Sequence, residues 1–216
     1  KVHAGFYRLS EDLDFVIPTP VDASRAERSR RARGLKGRFA QIGGTMPGVH
    51  LRRALEGANN SAQYIAVFGY TSVLRTTEET VHFEVGLREP LLTPVVRGEA
   101  KTLLLDPVSG SGLVPALSVP SLSREETIAE KLRAALCRRE VAIRDFYDTD
   151  HFVRRMGVRL DDPELLSLVR KKLAVPGNQP AAVSRDRLDA LRPQVETELK
   201  AVLRPADFAA FDLERA

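Results

Sequence analysis

Between Glu79 and Leu87 apolar and polar residues take turns: Val81, Phe83, Val85 and Leu87 against His82, Glu84 and Gly86. A period of two belongs to a half-buried strand, whose side chains point to opposite faces in succession. The β-branched and aromatic run from Ala62 to Val73 lies just ahead, across the polar turn Arg75-Thr76-Thr77-Glu78. Together they predict an antiparallel hairpin with Glu84 on the polar face of a central strand. Near the beginning, Asp12-Leu13-Asp14-Phe15 alternates in the same way. A strand there sends Asp12 and Asp14 to one face and Leu13 and Phe15 into the core. Two carboxylates projected together repel unless a cation lies between them, and Mg²⁺, finished by substrate phosphates, meets that need. The same spacing also serves as a plain acidic strand end, so the pair alone does not decide.

The rest of the chain is punctuated. Residues 1 to 8 read as the end of a helix with a turn at Gly5, and residues 12 to 17 as a strand closed by Pro18 and Pro20. Asp22 or Ser24 caps a helix to about Gln41 that carries Arg25, Arg28, Arg30, Arg31, Arg33, Lys36 and Arg38, relieved only by Glu27. Such a run is either a phosphate-tracking surface or a solvated helix face. Ile42-Gly43-Gly44-Thr45 and Pro47-Gly48 read as a loop. Residues 88 to 120 are irregular, with one short strand at Leu103 to Leu105. From Ser121 the pattern turns helical to the end. Ser123-Arg124-Glu125-Glu126 has capping-box form, and its helix carries Lys131 on an otherwise apolar stripe with Ile128, Leu132, Ala135 and Leu136. Further helices run from Ile143 to Met156, from Asp162-Pro163 to Leu173, from Ser184 to Arg204 and from Pro205 to Leu213. The expected fold class is α+β: a mixed or antiparallel sheet with helices over residues 1–120, then an all-helical half over 121–216.

Composition narrows the function classes. No apolar run in the 216 residues approaches the about 20 needed to span a bilayer, so no membrane partner is expected. The single cysteine, Cys137, excludes an internal disulfide and a cysteine-cluster metal site, and agrees with a cytoplasmic location. Four scattered histidines form no H-x-x-x-H pair. A net charge of +4 with pI near 9.4 favours a polyanionic partner.

Three segments in order carry a resemblance. Arg8-Leu9-Ser10-Glu11-Asp12-Leu13-Asp14-Phe15 resembles the R-[FL]-S-x-D-[IL]-D-F signature of the AbiEii-type nucleotidyltransferase-like toxins of abortive-infection and toxin–antitoxin systems. Ile128-Ala129-Glu130-Lys131-Leu132-Arg133-Ala134 resembles their A-E-K-L-x-A helix, and Arg144-Asp145-Phe146-Tyr147-Asp148 the R-D-x-x-D segment after it. Glu84-Val85-Gly86-Leu87-Arg88-Glu89 resembles their third-carboxylate strand. The family's G-[GS]-[ST] phosphate grip would fall just before Lys1, which implies that the beginning of the protein precedes this chain.

The resemblance implies a nucleotidyl transfer in which Asp12 and Asp14 hold one or two Mg²⁺ ions against an NTP. Glu84 would complete the second metal or act as base, or else be a solvated strand residue. Ser10 would donate to a phosphate or bond the backbone of a turn. Lys131 would meet a phosphate, an Asp148 carboxylate, or both, with Asp148 orienting it; Asp145 and Arg144 would support them. Tyr7, Tyr64 and Tyr70 would stack a base or serve the core. The implied acceptor is RNA, with tRNA 3′ ends foremost, and a cognate antitoxin is the implied protein partner. Two rivals stand beside this reading: a nucleic-acid- or partner-binding module with a degenerate site, and a small-molecule nucleotidyltransferase.

Overall fold

The β-branched run and the alternating run do form neighbouring strands. In a computed structural model, which describes residues 2–5, 8–10, 12–72 and 76–216, β3 (Gln63–Thr71) and β4 (Glu78–Gly86) pair antiparallel from Gln63↔Gly86 to Thr71↔Glu78. The part of their connection at Arg75 lies outside the described residues. On the other side of β4 runs β1 (Asp12–Val16), in parallel, and outside β3 lies β2 (Val49–Ala58). The order is β1-β4-β3-β2, a mixed sheet with β4 inside it.

Strand β2 was not legible as one. Register shifts between Leu51 and Arg53, and between Arg53 and Glu56, break its alternation. Each bulge flips the faces of the residues beyond it, so no period of two survives in the sequence.

Helix α1 (Arg25–Thr45) covers one face of this sheet. Ser24 caps it, the Oγ accepting from the Glu27 N–H at 3.2 Å. Its inner stripe of Ala32, Leu35, Phe39 and Ile42 joins a core with Tyr64, Ala66, Phe68, Phe83 and Val85. Phe39 meets Phe83 edge-on at 5.3 Å between ring centroids and Phe68 at 5.7 Å. The helix continues through the expected loop at 42–45 because Ile42 is still on the core stripe, and that contact outweighs the glycines. Gly34, Gly37 and Gly44 lie in this helix with nothing within 4 Å of where a Cβ would stand. Away from the helix end such a glycine costs about 1 kcal/mol relative to alanine.

Leu13 and Phe15 face the same layer, with Phe15 stacked on Phe83 at 6.1 Å. They were expected in the core, yet they remain 46% and 50% exposed. The reason is position: β1 is the edge strand, and α1 packs chiefly over the other end of the sheet.

The chain divides into two compact units, residues 10–90 and residues 1–9 with 91–216. Residues 91–120 fall in the second of these units, with the C-terminal helices. They bring strands: β5 (Val96–Ala100) pairs antiparallel with β6 (Leu117–Ser121). The expected strand at Leu103–Leu105 reduces to a single bridge between Leu105 and Gly112. Beyond β6 come α2 (Arg124–Cys137), α3 (Ile143–Met156), α4 (Pro163–Leu173), α5 (Arg185–Gln194) and α6 (Pro205–Ala209). Their core holds Ile128, Ile143, Tyr147, Phe152, Leu165, Leu191 and Leu199.

The ends of these helices obey local rules. Asp162 caps α4, and α3 stops at Gly157 with φ +64°. Ser123 Oγ caps α2 by accepting from the Glu126 N–H at 3.0 Å. Glu126 does not return the bond, as a capping box would. Its carboxylate is fully buried, accepts from the N–H groups of Leu92 and Thr93 and the Thr93 hydroxyl, and pairs with buried Lys172 at 2.8 Å. The long helix expected from Ser184 to Arg204 breaks into α5, a π turn at Val195–Leu199 and a 3₁₀ turn at Lys200–Val202. Pro193 has no N–H to give the ladder, and the turns after it change pitch. At the beginning, residues 2–4 form a turn rather than a helix end. No helix among the described residues is long and apolar enough to cross a membrane.

Candidate functional site

The sheet unit carries the first cluster. In the parallel ladder Asp12 lies opposite His82 and Asp14 opposite Glu84. Ladder partners share a face, so these four side chains emerge together, on the side of the sheet away from Leu13, Phe83 and α1. Asp12 and Asp14 are exposed, as a site for a diffusing ligand requires. Glu84 is half-buried and its Oε1 accepts from Gln63 Nε2 at 2.6 Å, while Gln63 Oε1 accepts from Asn59 Nδ2 at 2.7 Å. That relay begins in the β2–β3 turn, where Asn59, Asn60 and Ser61 all take the left-handed conformation. Ser10 is exposed, with its Oγ 3.5 Å from the Asp12 carbonyl oxygen. Among the described residues no three acidic, histidine or cysteine side chains converge as a ready metal cage. The donor set, hard carboxylate oxygens on one open face, suits an Mg²⁺ held by two carboxylates and completed by phosphate and water.

The helical unit carries the second cluster, and it is built in the opposite way. Asp148 on α3 is fully buried. Arg8 grips it with both arms, Nε donating to Oδ1 at 2.6 Å and Nη2 to Oδ2 at 2.8 Å. Lys131 on α2 brings its Nζ to 3.2 Å from the same carboxylate and to 3.9 Å from Asp145. Arg138 Nε sits 3.0 Å from the other Asp145 oxygen. Burial pushes the Asp148 carboxyl up, but the Arg8 hydrogen bonds and the charges of Lys131 and Arg8 outweigh it, leaving the group below its ordinary value. Lys131 itself stays about one-third exposed. It borders a small cleft of ≈ 60 Å³ with His3, Arg124, Thr127, Ile128 and Phe152. A lysine whose ammonium is positioned by a buried acid while its side chain stays partly exposed can present a fixed positive charge to an anion.

A family model for the AbiEii nucleotidyl transferase toxins of type IV toxin–antitoxin systems matches residues 1–214. The chain belongs to the AbiEii family. Among solved structures it is similar to JHP933 from Helicobacter pylori, at 19% identity and a TM-score of 0.51, over 98% of this chain and 72% of that one. At that identity the likeness speaks to the fold alone. A second H. pylori structure, named provisionally as a nucleotidyltransferase, matches at 18% identity over 98% and 74% of the two chains; its TM-score of 0.43 carries no argument. No curated protein matches.

The AbiEii signature straddles the two units: Arg8 and Leu9 belong to the helical one, Ser10 to Phe15 to the sheet. Leu9 N–H donates to the Val202 carbonyl at 2.9 Å, which pins that end to the turns after α5. Arg8 is the residue that sequence reasoning left without a role. Its place at the head of the signature was the one signal that pointed to it. Glu126 and Lys172 were likewise missed, since a capping-box glutamate gives no hint that it will be buried. Of the tyrosines named for base stacking, Tyr64 is a core residue, with Lys36 over its ring at 5.2 Å, and Tyr70 is exposed. Tyr7 and Glu11 lie outside the described residues. Arg144 makes no ion pair among the described residues.

Proposed function

We propose that the protein is an Mg²⁺-dependent nucleotidyltransferase and the toxin of its pair, moving a nucleoside monophosphate from an NTP to RNA. tRNA 3′ ends are the foremost acceptor, and an antitoxin is the protein partner. The observation that carries the reading is the exposed pair Asp12 and Asp14 on one sheet face, with Glu84 in register beside Asp14, in a chain of the AbiEii family. In the reaction an RNA hydroxyl attacks the α-phosphorus, its proton leaves to a base, and pyrophosphate departs. Divalent metal, when bound, neutralises charge on the attacking and leaving oxygens.

Asp12 and Asp14 would hold that metal. Glu84, oriented by Gln63, would add a ligand or take the hydroxyl proton. Ser10 would donate to a phosphate oxygen. Lys131 would neutralise phosphate charge as it builds, and Asp148 with Arg8 would fix where that lysine starts. NTPs and tRNA share the cytoplasm, and the reading places the protein there.

The test is label transfer from each α-labelled NTP to total RNA with Mg²⁺. The full chain should label RNA, and Asp12→Ala should label none. Transfer that persists in Asp12→Ala, or label found only in a small-molecule acceptor, would overturn the reading.

A further inference from the structure

The cations of α1 divide by what they touch. Arg31 pairs with Glu27, the helix's one acid, at 2.7 Å and donates to the Pro18 carbonyl. Arg28 donates to the Val21 carbonyl, and Lys36 lies over Tyr64. Arg30, Arg33 and Arg38 are exposed and make no ion pair among the described residues. At 100° per residue Arg30 and Arg33 project away from the stripe of Ala32, Leu35 and Phe39 while Arg38 stands on the flank of the helix, and along the axis the three span about 12 Å. Between them the outward surface is Gly34 and Gly37, with open space where side chains would be. The result is a bare saddle of helix backbone rimmed by guanidinium groups.

We propose that this outward face of α1 is an exosite for the sugar-phosphate backbone of duplex RNA. Guanidinium groups suit phosphate oxygens, and a surface without side chains lets a polyanion strand approach closely. The single aromatic residue of α1, Phe39, is buried in the core, so the face has no platform for unstacked bases; this favours a duplex over a single strand. The face is also on the wrong side to take part in the chemistry. Helix α1 covers the sheet face opposite Asp12, Asp14 and Glu84, and its outer surface is a further helix diameter away, about 10–12 Å. RNA held here is gripped far from the end being extended, so the site selects large folded acceptors. This rests on the reading that the acceptor is RNA.

Binding and transfer separate the two ideas. A labelled hairpin RNA is titrated with the full chain, without NTP, at several salt concentrations. The triple variant Arg30→Gln, Arg33→Gln, Arg38→Gln should bind about tenfold or more weakly at physiological salt. Its slope of log K against log salt should fall by about 3, one for each phosphate contact. The uncharged block Gly34→Leu, Gly37→Leu should weaken binding several-fold while the melting temperature holds or rises, because leucine is the better helix former. In transfer assays the triple variant should raise KM for the hairpin with kcat unchanged. Hairpin affinity equal to wild type in either variant overturns the exosite. Weakened binding in a protein that transfers label to no RNA keeps the exosite and removes the transfer reading.

Discussion

Two sets of carboxylates define this protein, and they are opposites. Asp12 and Asp14 stand exposed on an edge strand, two like charges side by side. Asp148 is fully buried under a two-armed Arg8 and Lys131. The first pair is exposed, so it costs the fold little. The second cannot be left unpaired, since an uncompensated buried charge is strongly destabilising. The contrast teaches that one family signature serves two ends: its Arg8 holds the helical unit together, while its aspartates, four and six residues on, are offered outward.

The largest expected effect breaks the buried side. Asp148→Ala strands Arg8 and Lys131 and should cost about 3–5 kcal/mol in chemical denaturation. A loss under about 1 kcal/mol, the scale of exposed pairs, would show that the network is not structural.

Acid tests the same side without a mutation. Asp148 and Glu126 both titrate below their ordinary values in the fold; for Glu126, burial pushes upward but Lys172, Thr93 and the Leu92 N–H outweigh it. Groups with depressed folded pKa bind protons better when unfolded, so their stabilisation is complete above about pH 4–4.5 and drains away as pH falls further. Stability that rises on acidification through that range would contradict the assignment.

A smaller effect belongs to α1. Gly34→Ala should stabilise the protein by about 1 kcal/mol, because the added methyl meets open space. Least of all should Asp12→Ala move stability, within about 0.5 kcal/mol, as an exposed site away from packing. A larger loss there would blur the contrast between the two sets.

How much the sequence showed depended on which forces are local. The β3–β4 hairpin, the opposite facing of Asp12 and Leu13, and the bounds of α3 and α4 were legible, because period and caps are written in neighbouring residues. Strand β2 was not, since its bulges erase the period, nor the π turn behind Pro193. Of the site, the pairing of Lys131 with Asp148 was anticipated from a lysine interrupting an apolar stripe. The dominant partner, Arg8, lies 140 residues away in sequence. No pattern in a single chain reports a contact of that range; only the fold does.

If the exposed aspartates, and not the buried one, hold the metal, the two sets must part company when the ion is titrated. The most direct test is Mn²⁺ titration followed by electron paramagnetic resonance, with a non-hydrolysable NTP present, on the full chain, Asp12→Ala and Asp148→Asn. Wild type and folded Asp148→Asn should bind the ion alike, and Asp12→Ala should lose most of its affinity. Equal binding by Asp12→Ala and wild type would contradict the account.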